Sequence, residues 1–148
     1  MGGIGREVAA RGRAFGMTIQ YYNRSRLPEE LEKGAKYVGF EELIRTSDIL
    51  SLNCSLRKET VGIIGPKEFD NMKQGVVLIN TARGKLIDEG ALVAALDSGK
   101  VFSAGLDVYE EEPKVHEGLL NNPNVVLLPH IGTATVETQV RWIIATNN

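Results

Sequence analysis

The sequence predicts an α/β fold built on a doubly wound, mostly parallel sheet. Short β-branched runs alternate with segments of helical spacing, and the connections between them suit parallel crossovers. Several of those runs are apolar at consecutive positions rather than at alternate ones, the pattern of strands covered on both faces. Glycines cluster at the amino end, and a helical segment and then a strand follow them.

Taken in order, residues 6–15 read as a helix, with Val8, Ala9, Arg11 and Phe15 in its periodicity and Gly16 as its stop. Residues 18–22 read as a strand, 36–38 as a short one and 49–53 as a third. Pro66 opens a short helix reaching about Met72, proline being tolerated where the N–H has no helical partner. Residues 76–80 form the next strand. Asp88 then caps a helix whose apolar face is Leu92, Ala95 and Leu96, and Gly99 stops it. Strands at 102–106 and 125–128 follow, and Val136, Val140, Ile143 and Ile144 fall at helical spacing, with Trp142 as packing on that last helix. His116 reads as a loop residue, and Lys58 with Glu59 as a solvated helix entry.

The 148 residues suit one domain with its own core. Hydrophobic content of 43% and charged content of 24% exclude a disordered or fibrous chain. A net charge of −2 leaves no electrostatic footprint for nucleic acid or an anionic membrane. No apolar stretch approaches the ~20 residues of a membrane helix. The single cysteine, Cys54, excludes an internal disulfide framework and a multi-cysteine metal site. The first residues carry no charged-then-apolar signal pattern, so the expected location is the cytoplasm.

Met1-Gly2-Gly3-Ile4-Gly5 matches the end of the dinucleotide-binding pattern G-x-G-x-x-G, with Gly2 and Gly5 as its second and third glycines. The second lets backbone approach a pyrophosphate, and the third lets the helix pack close to its strand. The helix opening near Ile4 aims its free N–H groups and positive dipole end at the phosphates. Asn23 lies 18 residues beyond Gly5, close to the ~20 at which the pattern places a ribose-reading group. An acid there selects NAD; here Asn23 is neutral, and Arg24, Ser25 and Arg26 follow. Guanidinium donors suit the 2′-phosphate of NADP, so NADP is expected in preference to NAD.

Three further segments close strands: Asn-Thr-Ala-Arg-Gly at 80–84, Asp-Val-Tyr-Glu-Glu-Glu-Pro at 107–113, and Pro-His-Ile-Gly at 129–132. Ligands of open α/β sheets bind outside the carboxyl ends of the strands, so an arginine, a carboxylate and a histidine from three strands converge there. Arginine grips a carboxylate substrate, histidine passes a proton, and glutamate stabilises the charged imidazole.

Residues 80–84, 105–113 and 128–135 resemble the signature regions of the D-isomer-specific 2-hydroxyacid dehydrogenases, nearest the glyoxylate/hydroxypyruvate reductase branch, and the resemblance covers essentially the whole chain. It implies a Rossmann-type domain that works by hydride transfer between a nicotinamide cofactor and small 2-keto acids. It implies Arg83 on the substrate carboxylate and keto oxygen, Glu112 as the partner of His130, and His130 as acid/base. It also implies Asp107 on the nicotinamide carboxamide, Thr81 and Ala82 along the nicotinamide half, and Cys54 and Ser55 beside the adenosine ribose. With Gly2, Gly3, Ile4, Gly5, Asn23, Arg24, Ser25, Arg83, His130 and Gly132 these complete the expected cofactor contacts.

Members of such a family carry a second, substrate-covering domain and a first strand at the centre of the sheet. The expectation for residues 1–148 is therefore a dinucleotide-binding domain truncated at its first strand, inactive alone and homodimeric when full-length. Because a fold does not fix a function, a dinucleotide-sensing corepressor is the alternative.

Overall fold

The computed structural model describes residues 1–138. The expected helix positions Val140, Ile143 and Ile144, and Trp142 with them, lie outside the described residues. Strands and helices alternate: α1 Gly3–Ala14, β1 Gln20–Tyr21, α2 Glu29–Glu32, β2 Lys36–Tyr37, α3 Phe40–Thr46, β3 Ile49–Leu52, α4 Pro66–Asn71, β4 Val76–Asn80, α5 Glu89–Asp97, β5 Val101–Leu106, α6 Glu117–Leu120 and β6 Val125–Leu127. The local signals act as read. Asp88 Oδ1 accepts from the Ala91 N–H at 2.8 Å, and Gly99, at φ 73°, turns the chain after α5. His116 lies in a loop, as read, and its Nδ1 caps α6 by accepting from the Gly118 N–H.

All strand pairs are parallel, but the sheet comes in two pieces, β1-β2 and β3-β4-β5-β6. Among the described residues β1 and β3 each have one unpaired edge. Side chains join the pieces: Gln20 donates to Thr46 Oγ1 at 2.9 Å and to Ser47 Oγ at 3.2 Å.

Register in the larger piece sets Leu52, Asn80, Leu106 and Leu127 side by side in one row across four strands. Everything that leaves those strands at that row therefore emerges at one end. Beneath it, Leu78 lies between Leu50 and Ala104, and Ile64, Leu92 and Leu119 from the flanking segments pack into the same fully buried core. Burial of such side chains supplies roughly 1.5–3 kcal/mol each. The opposite face is only partly covered among the described residues: Val77 and Ile79 are half-buried, and Phe102, Val126 and Leu128 are exposed. Equal cover on both faces, as consecutive apolar positions suggested, is thus not what residues 1–138 show.

Glu32, buried at the end of α2, ties the smaller piece together. Its carboxylate accepts from the Tyr21 hydroxyl at 2.5 Å and from Arg26 Nε and Nη2 at 2.8 and 2.9 Å, while its carbonyl accepts from Arg13. The Arg26 and Tyr21 hydrogen bonds, in that order, lower its carboxyl from the ordinary 4.5 to about 2. A depressed carboxyl contributes stability that is present above pH 4.5 and is lost as pH falls toward about 2. Arg26→Ala is therefore expected to lower the urea midpoint at neutral pH, with the gap to the unsubstituted chain closing over that acid window. A gap that stays constant through it would contradict the assignment.

Candidate active site

Gly2 precedes α1 in extended conformation, no side chain caps the helix, and its first turn holds no acid. A Cβ added at Gly2 or Gly3 would meet nothing within 4 Å, so there is room beside the first turn of this 12-residue helix. Ile4 is exposed, whereas Gly5 is buried, with its Cβ direction 3.5 Å from Asn53 Cβ just beyond β3. The Met1 amino group meets Asn23 Oδ1. The amino end of α1 thus sits between the carboxyl ends of β1 and β3. Uncapped amides, a helix dipole and absent Cβ atoms there fit a pyrophosphate.

Asn23 is half-buried and its carbonyl accepts from the Tyr37 hydroxyl at 3.0 Å. Arg24 and Ser25 are exposed beside it, and Arg24 has no ion-pair partner among the described residues. Arg26 differs from the reading that grouped it with Arg24, because Glu32 engages its guanidinium side-on through Nε and Nη2. Cys54 and Ser55 are exposed just past Leu52, in the loop that also leaves the common row.

Asn80, almost fully buried, folds the turn that follows β4. Its Oδ1 accepts from the Ala82 N–H at 3.0 Å and its Nδ2 donates to the Arg83 carbonyl at 2.9 Å, replacing the ladder partners that the chain leaves behind. Thr81 and Arg83 are left exposed, with Ala82 packed on the core.

Asp107, buried at the end of β5, accepts from the Ile131 and Gly132 N–H groups, both at 2.8 Å. The resemblance gives this carboxylate to the cofactor; here it holds the loop of His130. That loop needs holding, since His130 has φ 55°, a left-handed conformation that a non-glycine residue adopts at a cost.

Glu112 Oε2 lies 2.8 Å from His130 Nδ1, and Glu112 Oε1 accepts from the Tyr109 N–H at 3.1 Å. A carboxylate only accepts, so Nδ1 carries the proton and Nε2 is the nitrogen left for other partners. The hydrogen bond to His130 is the main reason that the Glu112 carboxyl lies below its ordinary range, and the charge of nearby Arg83 acts the same way. Tyr109 is buried, and its hydroxyl donates to the Leu128 carbonyl at 2.7 Å, clamping the 107–113 turn onto the end of β6. A cavity of about 410 Å³ opens beside the pair, lined by Tyr109, Val115, Leu127 and Pro129 among others. A second, of about 360 Å³, runs along α1 from Met1 and Gly3 to Arg13, Leu31 and Lys33.

Tyr109 and Gly84 were not singled out from the sequence. Gly84 is where the arginine turn meets the glutamate turn: a Cβ there would fall 1.8 Å from the Tyr109 carbonyl carbon. The only sequence signal was the glycine directly after Arg83.

Fold and strand-end geometry together fit a dinucleotide-binding domain. Residues 1–132 match the D-isomer specific 2-hydroxyacid dehydrogenase NAD binding domain, and the chain belongs to that family. It is 69% identical over 139 residues to 4-methyl-2-oxopentanoate reductase A of Aspergillus oryzae, a match covering 94% of this chain and 42% of that protein. The fold superposes on a glyoxylate reductase from Paecilomyes thermophila with a TM-score of 0.95 at 65% identity, covering 97% of this chain and 44% of the other. It superposes on Aquifex aeolicus D-lactate dehydrogenase, complexed with NAD and lactic acid, with a TM-score of 0.88 at 36% identity, covering 98% and 48%. The chain spans less than half the length of each. No helix among the described residues is long and apolar enough to cross a membrane.

Because the crowding at Gly84 is against backbone, Gly84→Ala is expected to destabilise the chain by about 1–3 kcal/mol in urea unfolding. Alanine for glycine at an unstrained, open position stabilises by about 0.4–1 kcal/mol instead, so a gain in stability would remove the contact from the account.

Proposed function

We propose that residues 1–148 are the cofactor-binding domain of an NAD(P)-dependent oxidoreductase that reduces small 2-keto acids, such as glyoxylate or hydroxypyruvate, to 2-hydroxy acids. The observation that carries the proposal is the 2.8 Å His130–Glu112 pair emerging beside the Arg83 turn on neighbouring strand ends. The 69% relative is named for a branched 2-keto acid, so the substrate class rather than one substrate is the reading.

The amides of Gly2, Gly3, Ile4 and Gly5 would hold the pyrophosphate. Asn23, Arg24 and Ser25 would surround the adenosine ribose with Cys54 and Ser55, and Thr81, Ala82, Asp107 and Gly132 would border the nicotinamide half. When bound, the nicotinamide supplies or accepts hydride. Arg83 would anchor the substrate carboxylate by paired N–H donors and orient its keto oxygen toward His130. His130 would give that oxygen a proton from Nε2, with Glu112 stabilising the charged ring and fixing its orientation through Nδ1. Turnover needs a closed, water-excluding cleft, which in this reading a second domain supplies; the whole enzyme would be a cytoplasmic homodimer.

The 148-residue chain alone is expected to leave NADPH unoxidised by glyoxylate or hydroxypyruvate. In a full-length protein carrying this sequence, His130→Ala is expected to lower kcat by roughly 10²–10⁴-fold. Enzymic rates from the chain alone, or unchanged turnover after His130→Ala, would contradict the proposal.

Preference for NADPH over NADH is part of the same reading. No acid stands at Asn23 to repel a 2′-phosphate, and Arg24 is exposed beside it. One charge-assisted bond of roughly 1.5–3 kcal/mol corresponds to about a tenfold to hundredfold preference. In the full-length protein, the ratio of kcat/KM for the two cofactors is expected to fall by that factor in Arg24→Ala. An NADH preference at the outset, or an unmoved ratio, would overturn it.

A further inference from the structure

Glu112 stands in a run of three glutamates, and the first of them makes a contact that none of the proposed chemistry uses. Glu110 Oε1 accepts from the Glu89 N–H at 2.9 Å, and Glu89 Oε1 accepts from the Glu110 N–H at 2.8 Å. Each carboxylate thus satisfies the other residue's backbone amide. Glu89 is the first residue of α5, so its N–H has no partner inside the helix, and the dipole there favours the negative charge of Glu110. Glu89 is buried and Glu110 half-buried. Burial is the main reason that the Glu89 carboxyl lies above its ordinary value; the charges of Glu110 and Glu111 push it the same way, while the Glu110 N–H and His116 oppose them.

We infer that Glu89 and Glu110 are positioning residues for Glu112: their reciprocal bonds fasten the 107–113 turn to the amino end of α5 and so set Glu112 against His130. This rests on the reading of His130 and Glu112 as a working pair. Glu110 is two residues from Glu112, and the Tyr109 N–H that Glu112 accepts belongs to the residue before Glu110. Gly84 packs against that same Tyr109–Glu110 peptide, so the turn is held from one side by contact and from the other by the clasp. Releasing the clasp leaves that peptide held by Gly84 and the Tyr109 hydroxyl alone, which lets the turn shift and lengthens the Glu112–His130 contact without touching either group.

The test is a carbon-13 NMR titration of the Glu112 carboxyl in the 148-residue chain, its signal assigned with Glu112→Gln. The carboxyl starts below its ordinary 4.5, chiefly through His130. His130→Ala is expected to raise it toward that value, and Glu89→Ala and Glu110→Ala to do the same. Glu89→Gln keeps an acceptor oxygen for the Glu110 N–H and is expected to leave it low. If His130→Ala raises the titration but folded Glu89→Ala and Glu110→Ala do not, the inference fails and the His130–Glu112 reading stands. Should Glu89→Ala fail to fold, Glu110→Ala decides, since it cuts the clasp from its less buried side. If Glu89→Gln raises the titration as alanine does, the acceptor oxygen is not the cause and the inference also fails. A Glu112 titration indifferent to His130→Ala would instead overturn the pair itself.

Discussion

Parallel register fixes where the turns that carry Arg83, Glu112 and His130 begin. Hydrogen bonding sets Leu52, Asn80, Leu106 and Leu127 in one row, and in a parallel sheet all four chains leave that row in the same direction. The groups therefore meet without any long-range guidance of the loops themselves. The loops need only be stiffened, and buried polar side chains do this: Asn80 folds its own turn, Asp107 takes two amides of the loop after β6, and Tyr109 reaches the Leu128 carbonyl. Each of these groups is buried with its hydrogen bonds made, which is why burying it is tolerable.

Three consecutive glutamates show how position rather than type assigns a task. Glu110 faces a helix end and takes its amide, Glu111 stays exposed, and Glu112 faces His130. Asp107 makes a related point. A nicotinamide contact is what the family resemblance implies for it, yet in this structure its two oxygens hold the backbone on which His130 sits at positive φ. A carboxylate can accept further bonds, so the two tasks are compatible.

Much of this was legible from the residues. The strand at 76–80 has the predicted bounds, four others differ by one residue at one end, the first is shorter at both ends, and Asp88 and Gly99 delimit α5 as read. That an arginine, a carboxylate and a histidine leave neighbouring strands at one end was readable from the strand ends; the choice of Glu112 among the three glutamates came from the family resemblance. What was missed has physical causes. α2 and α6 are single turns of four residues, too short for a periodic signal. α3 did carry one, in Phe40, Leu43 and Ile44. The split of the sheet depends on which edges find partners, and the engagement of Arg26 by Glu32 on a turn that brings residues six apart together. The Glu89–Glu110 clasp joins residues 21 apart, and no local pattern announces such a contact.

In this reading the common row of strand ends and the amino end of α1 form one cofactor crevice. NADH titrated into the nitrogen-15-labelled 148-residue chain, with the backbone amides followed, reads this out. Saturable shifts are expected to concentrate at Gly3, Gly5, Asn23, Thr81, Asp107 and Gly132. Shifts confined to Arg13, Leu31 and Lys33, which share the cavity along α1 with Gly3, or no saturable binding, would contradict it.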